Sequence, residues 1–508
     1  MAETIQFQVT PEQAKDLVFL KQKIRKELRL NNDDFTFKWK RRSIDARNRN
    51  IKINCTFTVY FTEESEEKMD EFVAEKELNG EVAIVGFGPA GIFAALRALE
   101  KGIKPIVFER GKDVRSRRRD LAILNKESIV NPESNYCYGE GGAGTYSDGK
   151  LYTRSKKRGD VQRALEWFVQ FGADEDILVD AHPHIGTNKL PQIIVAMRET
   201  IIENGGEVHF DAKVTDFFSE NGQITGLEIN SEKKYSFNNI ILATGHSARD
   251  IFDLLYAKKW ELKAKPFALG VRIEHPQDLI DKIQYRGRLN DDFIPPASYS
   301  LVAQVNGRGV YSFCMCPGGI VAPCATSPGE VVTNGWSPSK RNNPFANSGI
   351  VVSISPEDFE DKSPFACLNF QKEVEQKCWE AAGKEQKVPA QRLMDFLEDR
   401  VSSDLPVSSY QPGMTSLDLN EILPDIISKN LKVAFKAFGE KMKDFLTNEA
   451  VLHAPESRTS SPIQIPRNEF LQHPDVKGLF PCAEGAGYAG GIISAAIDGM
   501  KCIDQISS

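Results

Sequence analysis

At 508 residues the chain exceeds what one hydrophobic core organises, so roughly two to four domains are expected. Its 64 basic and 71 acidic residues leave a net charge of −7, which argues against a chain-wide nucleic-acid or anionic-membrane binder. No apolar run reaches transmembrane length, no basic-then-apolar signal segment opens the chain, and the nine scattered cysteines form no C-x-x-C pair; a cytoplasmic protein with reduced thiols and no metal site is expected.

Residues 1–78 read as a small module. A strand at 4–9, an amphipathic helix at 11–28, strands at 35–43 and 51–61 and an acidic helix at 64–77 give the order β-α-β-β-α, a partial ferredoxin-like α+β unit. Its basic run, Lys38, Lys40, Arg41, Arg42, Arg47, Arg49 and Lys52, could bind RNA or a phosphorylated ligand. Only Phe37 and Trp39 interleave for stacking, so a solvated strand face is the preferred reading.

Residues 81–111, EVAIVGFGPAGIFAALRALEKGIKPIVFERG, carry the strongest signal. An apolar strand runs directly into Gly86, Gly88 and Gly91 at G-x-G-x-x-G spacing, and a helix follows. Gly86 permits the tight turn, Gly88 keeps side chains away from a pyrophosphate, and Gly91 lets helix and strand pack closely. Pro89 suits a first helical turn, and Ala90 follows it. A second strand ends in Glu109, about 20 residues on, where a carboxylate meets ribose hydroxyls. This is a dinucleotide-binding unit. The arginines that follow, Arg115, Arg117, Arg118 and Arg119, read as a helix coat, with phosphate neutralisation as the alternative.

A second glycine loop, NYCYGEGGAGTYSDGKLYT (135–153), lacks a preceding strand and is not another such unit; with Thr145, Ser147 and Lys150 it suits a flat or anionic ligand. The pattern from 160 to 204 is helical, interrupted by HPHIGT, where His182 and His184 read as structural. A strand, a three-stranded meander and a return strand fill 207–245, ending in Ala243, Thr244 and Gly245. Residues 266–448 change texture: hairpins first, then helices at 365–382, 389–399 and 423–445, an inserted mixed α+β substrate or cap domain. Within it, Cys314 and Cys316 could form a redox pair or a nucleophile with its neighbour, although two small buried residues on one strand face explain them more simply. The C-terminus returns to strand, glycine turn and helix: GLFPCAE, GAGYAGG, then 492–506, with Glu484 at the strand end placed for sugar hydroxyls.

These passages, together with SIDAR (43–47), HIGT (184–187), FCMCPGG (313–319), ESRTSSP (456–462) and CAEGAGYAGGIISAAIDG (482–499), resemble a large, mostly uncharacterised family of FAD-dependent dehydrogenases or oxidoreductases with a glutathione-reductase-type, two-part FAD domain. The resemblance implies an α/β fold. A Rossmann-like FAD-binding domain at 79–265 and 449–508 is interrupted by the cap at 266–448 and preceded by the ferredoxin-like module at 1–78. It implies FAD held at its ADP end by Gly86, Gly88, Pro89, Ala90, Gly91, Glu109, Arg110 and the backbone of Val214. The implied flavin end comprises Gly141, Gly142, Ala143, Gly144, Thr145, Ser147, Ala243, Thr244, Gly245, Glu484, Gly485, Gly490, Gly491 and Ile492. Arg458, as anion or flavin anchor, His246, as acid or base, and Cys314 and Cys316 are the catalytic candidates. NADH or NADPH could donate electrons, without a fingerprint of its own. The expected reaction is hydride transfer between a small-molecule substrate and FAD. A flavin-carrying RNA-modification or partner-binding protein and a flavoprotein monooxygenase are the alternatives. Oligomeric state is not readable.

Overall fold

The computed structural model describes residues 2–48, 50–61, 69–153, 159–286 and 294–506. Among these no helix is long and apolar enough to cross a membrane.

A five-stranded parallel sheet carries the glycine turn. Its order is Leu479–Pro481, Ile240–Leu242, Glu81–Val85, Lys104–Phe108, Glu207–His209. Glu81–Val85 is buried over its last four residues, as an interior parallel strand covered on both faces must be. One face packs on helices Pro89–Glu100, Val161–Gln170, Leu190–Glu203 and Ile492–Ile506. The other packs on the three-stranded meander Val214–Glu220, Gln223–Ile229, Lys233–Ser236 and on helix Arg249–Ala257. The strand, meander and return strand expected over 207–245 are all present.

A second, seven-stranded sheet runs in the order Val302–Val305, Arg308–Cys316, Phe345–Ile354, Phe267–Pro276, Val451–Glu456, Val388–Arg392, Met414–Ser416. Its central strand Phe267–Pro276 alternates two kinds of side chain. Phe267, Leu269, Val271 and Ile273 join the apolar core shared with helix Asp425–Lys441. Arg272 and Glu274 point to the opposite face and are buried there with partners.

Several expectations are corrected. The helix over 11–28 is two helices, Pro11–Lys15 and Leu17–Glu27, because Asp16 leaves the helical conformation and caps the second one through Val18 and Phe19. Of the acidic helix at 64–77, residues 62–68 lie outside the described residues and 69–77 are non-helical; Asp70 and Phe72 donate their amides to Glu166 and Gln170 instead. Arg49 also lies outside the described residues. The helix at 389–399 is the strand Val388–Arg392 followed by the short helix Leu393–Leu397, since pairing with Val451–Glu456 outweighs local helical periodicity. Val451–Glu456, expected with the second part of the FAD domain, is an interior strand of the seven-stranded sheet. Arg117 does not coat its helix but is fully buried.

The N-terminal sheet has the order Ala2–Val9, Lys52–Tyr60, Thr36–Asp45, antiparallel throughout. It meets the rest of the chain through Arg42, whose guanidinium binds Asp180 at 2.7 Å and Asp176 at 3.0 Å and whose carbonyl accepts from the Ala181 amide.

Buried histidines on the two faces of this sheet make stability pH-dependent, His275 on the apolar face against Phe445 and His453 opposite Arg272 on the polar face. His275 Nε2 donates to the Phe445 carbonyl, its one hydrogen bond among the described residues, and His453 bonds Ser408 and the Arg272 carbonyl. Burial pushes both imidazoles down to about 4 from 6.5. The unfolded chain therefore binds more protons between those values, and each histidine removes about 3 kcal/mol as pH falls through that window. Glu274 and Glu456, raised by burial, act with the opposite sign. The readout is the urea midpoint from pH 7 to 4.5 in wild type and His275→Gln. The variant should lose less stability on acidification, and equal slopes would refute the assignment.

Candidate FAD cleft and its walls

The parallel sheet and the polar face of the second sheet enclose a cavity of about 270 Å³. Its walls come from both glycine loops, the Ala243–Gly245 strand end, the C-terminal turn, and the segment around Cys314.

At the first turn, Gly86 has φ +99°, and a Cβ there would stand 2.5 Å from the Ala243 carbonyl oxygen. A Cβ on Gly91 would stand 2.0 Å from the Gly86 oxygen, which is the close helix–strand packing expected of it; Gly91 lies behind the cleft wall. Gly88 differs. It lines the cleft, and its Cβ would meet nothing nearer than Gly142 Cα at 3.8 Å. Gly88 is also the N-cap of Pro89–Glu100 and offers no side-chain cap, so the first-turn amides stay free for an anion. Glu109 lines the cleft, and its carboxylate accepts from the amides of Phe87, Gly111 and Gly139 at 2.8, 2.9 and 2.9 Å. Those bonds use three of about four lone-pair positions and tie the first turn to the second loop. Arg110 stacks 4.3 Å from the Tyr138 ring centroid and pairs with Glu133 and Asp250, beside Val214 and Lys213.

The second loop is shaped by Arg117, whose guanidinium donates to the carbonyls of Asn135, Tyr136, Glu140 and Gly142. Gly142, Ala143, Gly144 and Ser147 reach the cleft. Gly141 and Thr145 do not: the Thr145 hydroxyl donates to the Glu140 carbonyl at 2.6 Å and both residues brace the loop from behind.

Ala243, Thr244 and Gly245 line the opposite wall, with His246, Glu484, Gly491 and Ile492. His246 Nδ1 lies 3.4 Å from Glu484 Oε1, and its buried Nε2 has no hydrogen-bond partner among the described residues. Gly485 packs behind this wall, where a Cβ would stand 2.6 Å from the Gly245 oxygen, and Gly490 has open space around it. Asp498 accepts from the Ala483 amide and pairs bidentately with Arg467, holding the turn; Cys482 and Cys502 lie within 4.8 Å of it, but the Arg467 cation opposes a metal ion there.

Arg458 lines the cleft, yet all five of its N–H donors are committed. Nε and one Nη2 hydrogen meet Glu375, the other Nη2 hydrogen meets Glu330, and Nη1 meets Thr326 and Ser247. Arg249 closes the cluster on the same two carboxylates. Burial alone would raise the Glu375 carboxyl, but the two guanidiniums hold it at about 2. Arg458 thus positions the wall and has no donor left for a substrate anion.

Cys314 and Cys316 do not share one strand face in the simple way expected. The register slips between Phe313 and Cys316, and Cys314 has φ +43°. Both cysteines line the cleft, Cys314 as the exposed one and Cys316 as the buried one, and the Cys314 thiol, crowded by protein, is pushed up to about 11. Both remain free thiols. Buried Arg272 holds the bulge, donating to the Cys314 carbonyl at 3.4 Å while pairing with Glu456 at 2.7 and 3.0 Å. Lys150, which the second loop's composition pointed to, lines the cleft, and Asp148 beside it and Asn334 are additions to the expected set; Asn334 has no sequence signal.

The residues fit an FAD. A side-chain-free Gly88 faces an uncapped helix start, two glycine loops approach across the cavity, and polar groups gather at both ends.

Residues 80–259 match the pyridine nucleotide-disulphide oxidoreductases, residues 266–459 match the FAD-dependent protein, C-terminal domain-like family, and residues 1–60 match a domain of unknown function. An uncharacterized protein of Clostridium beijerinckii (strain ATCC 51743 / NCIMB 8052) is 40% identical over 513 residues, covering 97% of this chain and 96% of that one. A dual trans-enoyl reductase/FAD-dependent monooxygenase of Aspergillus terreus is 26% identical over 182 residues, 33% of this chain and 22% of that one. Among solved structures, glycine oxidase from Bacillus cereus ATCC 14579 aligns at 13% identity and TM-score 0.31, covering 84% of this chain and 94% of its own. L-proline dehydrogenase from P. horikoshii aligns at 11% identity and TM-score 0.34, covering 85% and 94%. The chain belongs to one family with the Clostridium beijerinckii protein, and it is a Rossmann-type flavoprotein oxidoreductase with FAD as its cofactor.

Proposed function

We propose that the protein is a dehydrogenase that exchanges hydride between FAD and a small organic substrate entering beside the Cys314 bulge. One observation carries the reading: the cleft that begins at the first glycine turn ends against residues of the inserted sheet, so cofactor and substrate walls belong to one cavity. Bound FAD would supply the two-electron step. The chain's own residues do the rest. Gly88 and the amides of the following helix receive the pyrophosphate, and Glu109 with Arg110 receives the adenosine ribose. The second loop and the Glu484–Gly491 turn orient the flavin, in a two-part arrangement of the glutathione-reductase type. His246, oriented by Glu484 and with Nε2 unpartnered, moves a proton at that atom or holds a ribityl hydroxyl. Cys314 presents a protonated thiol to the substrate. Inner-wall packing by Arg458 and Arg272 excludes water. The substrate would be a small molecule, the electron partner NADH or NADPH docking without a fingerprint, and the location cytoplasmic.

The test is anaerobic addition of NADH, NADPH and a panel of amino, hydroxy and unsaturated acids to the flavin-loaded protein. Bleaching of the flavin by one class within seconds supports a dehydrogenase. A monooxygenase is the second reading, favoured by the partial likeness to the Aspergillus terreus protein. Reduction followed by oxygen consumption with oxygen incorporated in the product would select it.

A further inference from the structure

We infer that Lys150 is the fixed positive charge of the flavin site and draws bound FAD toward its anionic reduced form. The inference rests on the FAD reading of the cleft and gives a specific role to a lysine whose loop suited a flat or anionic ligand.

Four cationic side chains line the cleft among the described residues: Arg110, Lys150, Lys213 and Arg458. Three are balanced. Arg110 and Lys213 share Glu133 and Asp250. Arg458 shares Glu330 and Glu375 with Arg249, two charges against two.

Lys150 is different. It ends the loop that brings Gly142, Ala143, Gly144 and Ser147 to the cavity, and its ammonium crosses to the inserted sheet, donating to the Met315 carbonyl and standing 3.7 Å from Cys316 Sγ. Among the described residues its one acidic neighbour is Asp148, at 3.4 Å, and the same Asp148 oxygen also receives Arg341 at 3.1 Å. Two cations share one carboxylate, so the triad carries a net +1 at the meeting of loop and bulge. The facing groups from every packed element are Asp148 on the same loop, His184 beside Asp148, Arg341, Cys314 and Cys316. Burial works against the ammonium, but the Asp148 carboxylate opposes it and the lysine stands above its ordinary value, so it stays charged. Met315 and Asp148 fix it in place, so its field is preorganised.

The chemistry follows from charge balance. A reduced nicotinamide or organic donor loses two electrons and one proton together as hydride; the neutral oxidised isoalloxazine gains them and becomes an anion. A fixed cation in a site screened from water favours that anion over the neutral starting form. It also opposes uptake of a second proton.

The experiment is a redox titration of the FAD-loaded protein against dyes of known potential, with flavin content per chain measured in parallel. Lys150→Met should make FAD at least tenfold harder to reduce, a fall of about 30 mV for a two-electron couple. Lys150→Arg, which keeps the charge, should stay within threefold of wild type. The wild-type potential should change by about 30 mV per pH unit at pH 6–7, one proton per two electrons, and Lys150→Met should move toward about 59 mV. A Lys150→Met protein that holds FAD at unchanged potential overturns the inference and leaves the dehydrogenase reading standing. A wild-type slope of about 59 mV at that pH also overturns it, and needs no variant if Lys150→Met loses its flavin. A protein that takes up no FAD would instead refute the reading beneath it.

Discussion

Arg458→Ala is expected to destabilise the protein by about 3–5 kcal/mol, because it leaves Glu330 and Glu375 buried with Arg249 as their one remaining cation. The side chain is 5% exposed, and every donor is used on a protein acceptor. The cluster also joins the loop after Gly245 to helix Ala366–Ala381, through Ser247 and Arg249 on one side and Gln371 and Glu375 on the other. Its loss should therefore loosen the cleft wall as well as lower the urea midpoint. Combining Arg458→Met with Glu375→Gln should recover part of the loss, since the second change removes the stranded charge. A normal midpoint with abolished turnover would return Arg458 to the role of substrate anchor.

Gly88→Ala is expected to leave the fold intact and weaken FAD binding at least tenfold, about 1.4 kcal/mol. The backbone at Gly88, φ −79°, suits any residue, and the added methyl would find Gly142 Cα at 3.8 Å, an ordinary contact. What it takes away is the approach of a pyrophosphate to the helix amides. Gly91→Ala is the contrast: its methyl would lie 2.0 Å from the Gly86 oxygen, so it should impair folding itself. Circular dichroism and melting of the two variants, beside flavin titration, separate the effects. Equal FAD affinity in Gly88→Ala and wild type would remove the pyrophosphate from this turn.

Local signals were legible because they are local. The strand–turn–helix at 81–100, the strand end at Ala243–Gly245 and the C-terminal turn each carry their geometry in contiguous residues, and the cavity gathers them. Most of the expected cofactor residues line it; Gly91, Gly141, Thr145 and Gly485 instead supply the packing behind it, and Gly490 stands outside it with open space around it. Partnership across the chain was not legible. Arg117 sits among three exposed arginines, and nothing in that run distinguishes the one whose guanidinium gathers four carbonyls. The segment 389–392 has a helical pattern but pairs with a strand about sixty residues away. Cys314 and Cys316 alternate in sequence and both line the cleft, yet the bulge between them, braced by Arg272 from another strand, leaves one exposed and the other buried. Arg458 was identifiable as important in a conspicuous ESRTSSP run, but its saturation by Glu330 and Glu375 depends on residues 128 and 83 positions away.

Whether the chain holds FAD is decided by flavin titration of the purified, flavin-stripped protein. The account predicts saturable uptake of one FAD per chain, with the visible spectrum of a bound oxidised flavin, and uptake weakened at least tenfold in folded Gly88→Ala. A folded wild-type chain that neither copurifies with flavin nor takes it up would contradict the account.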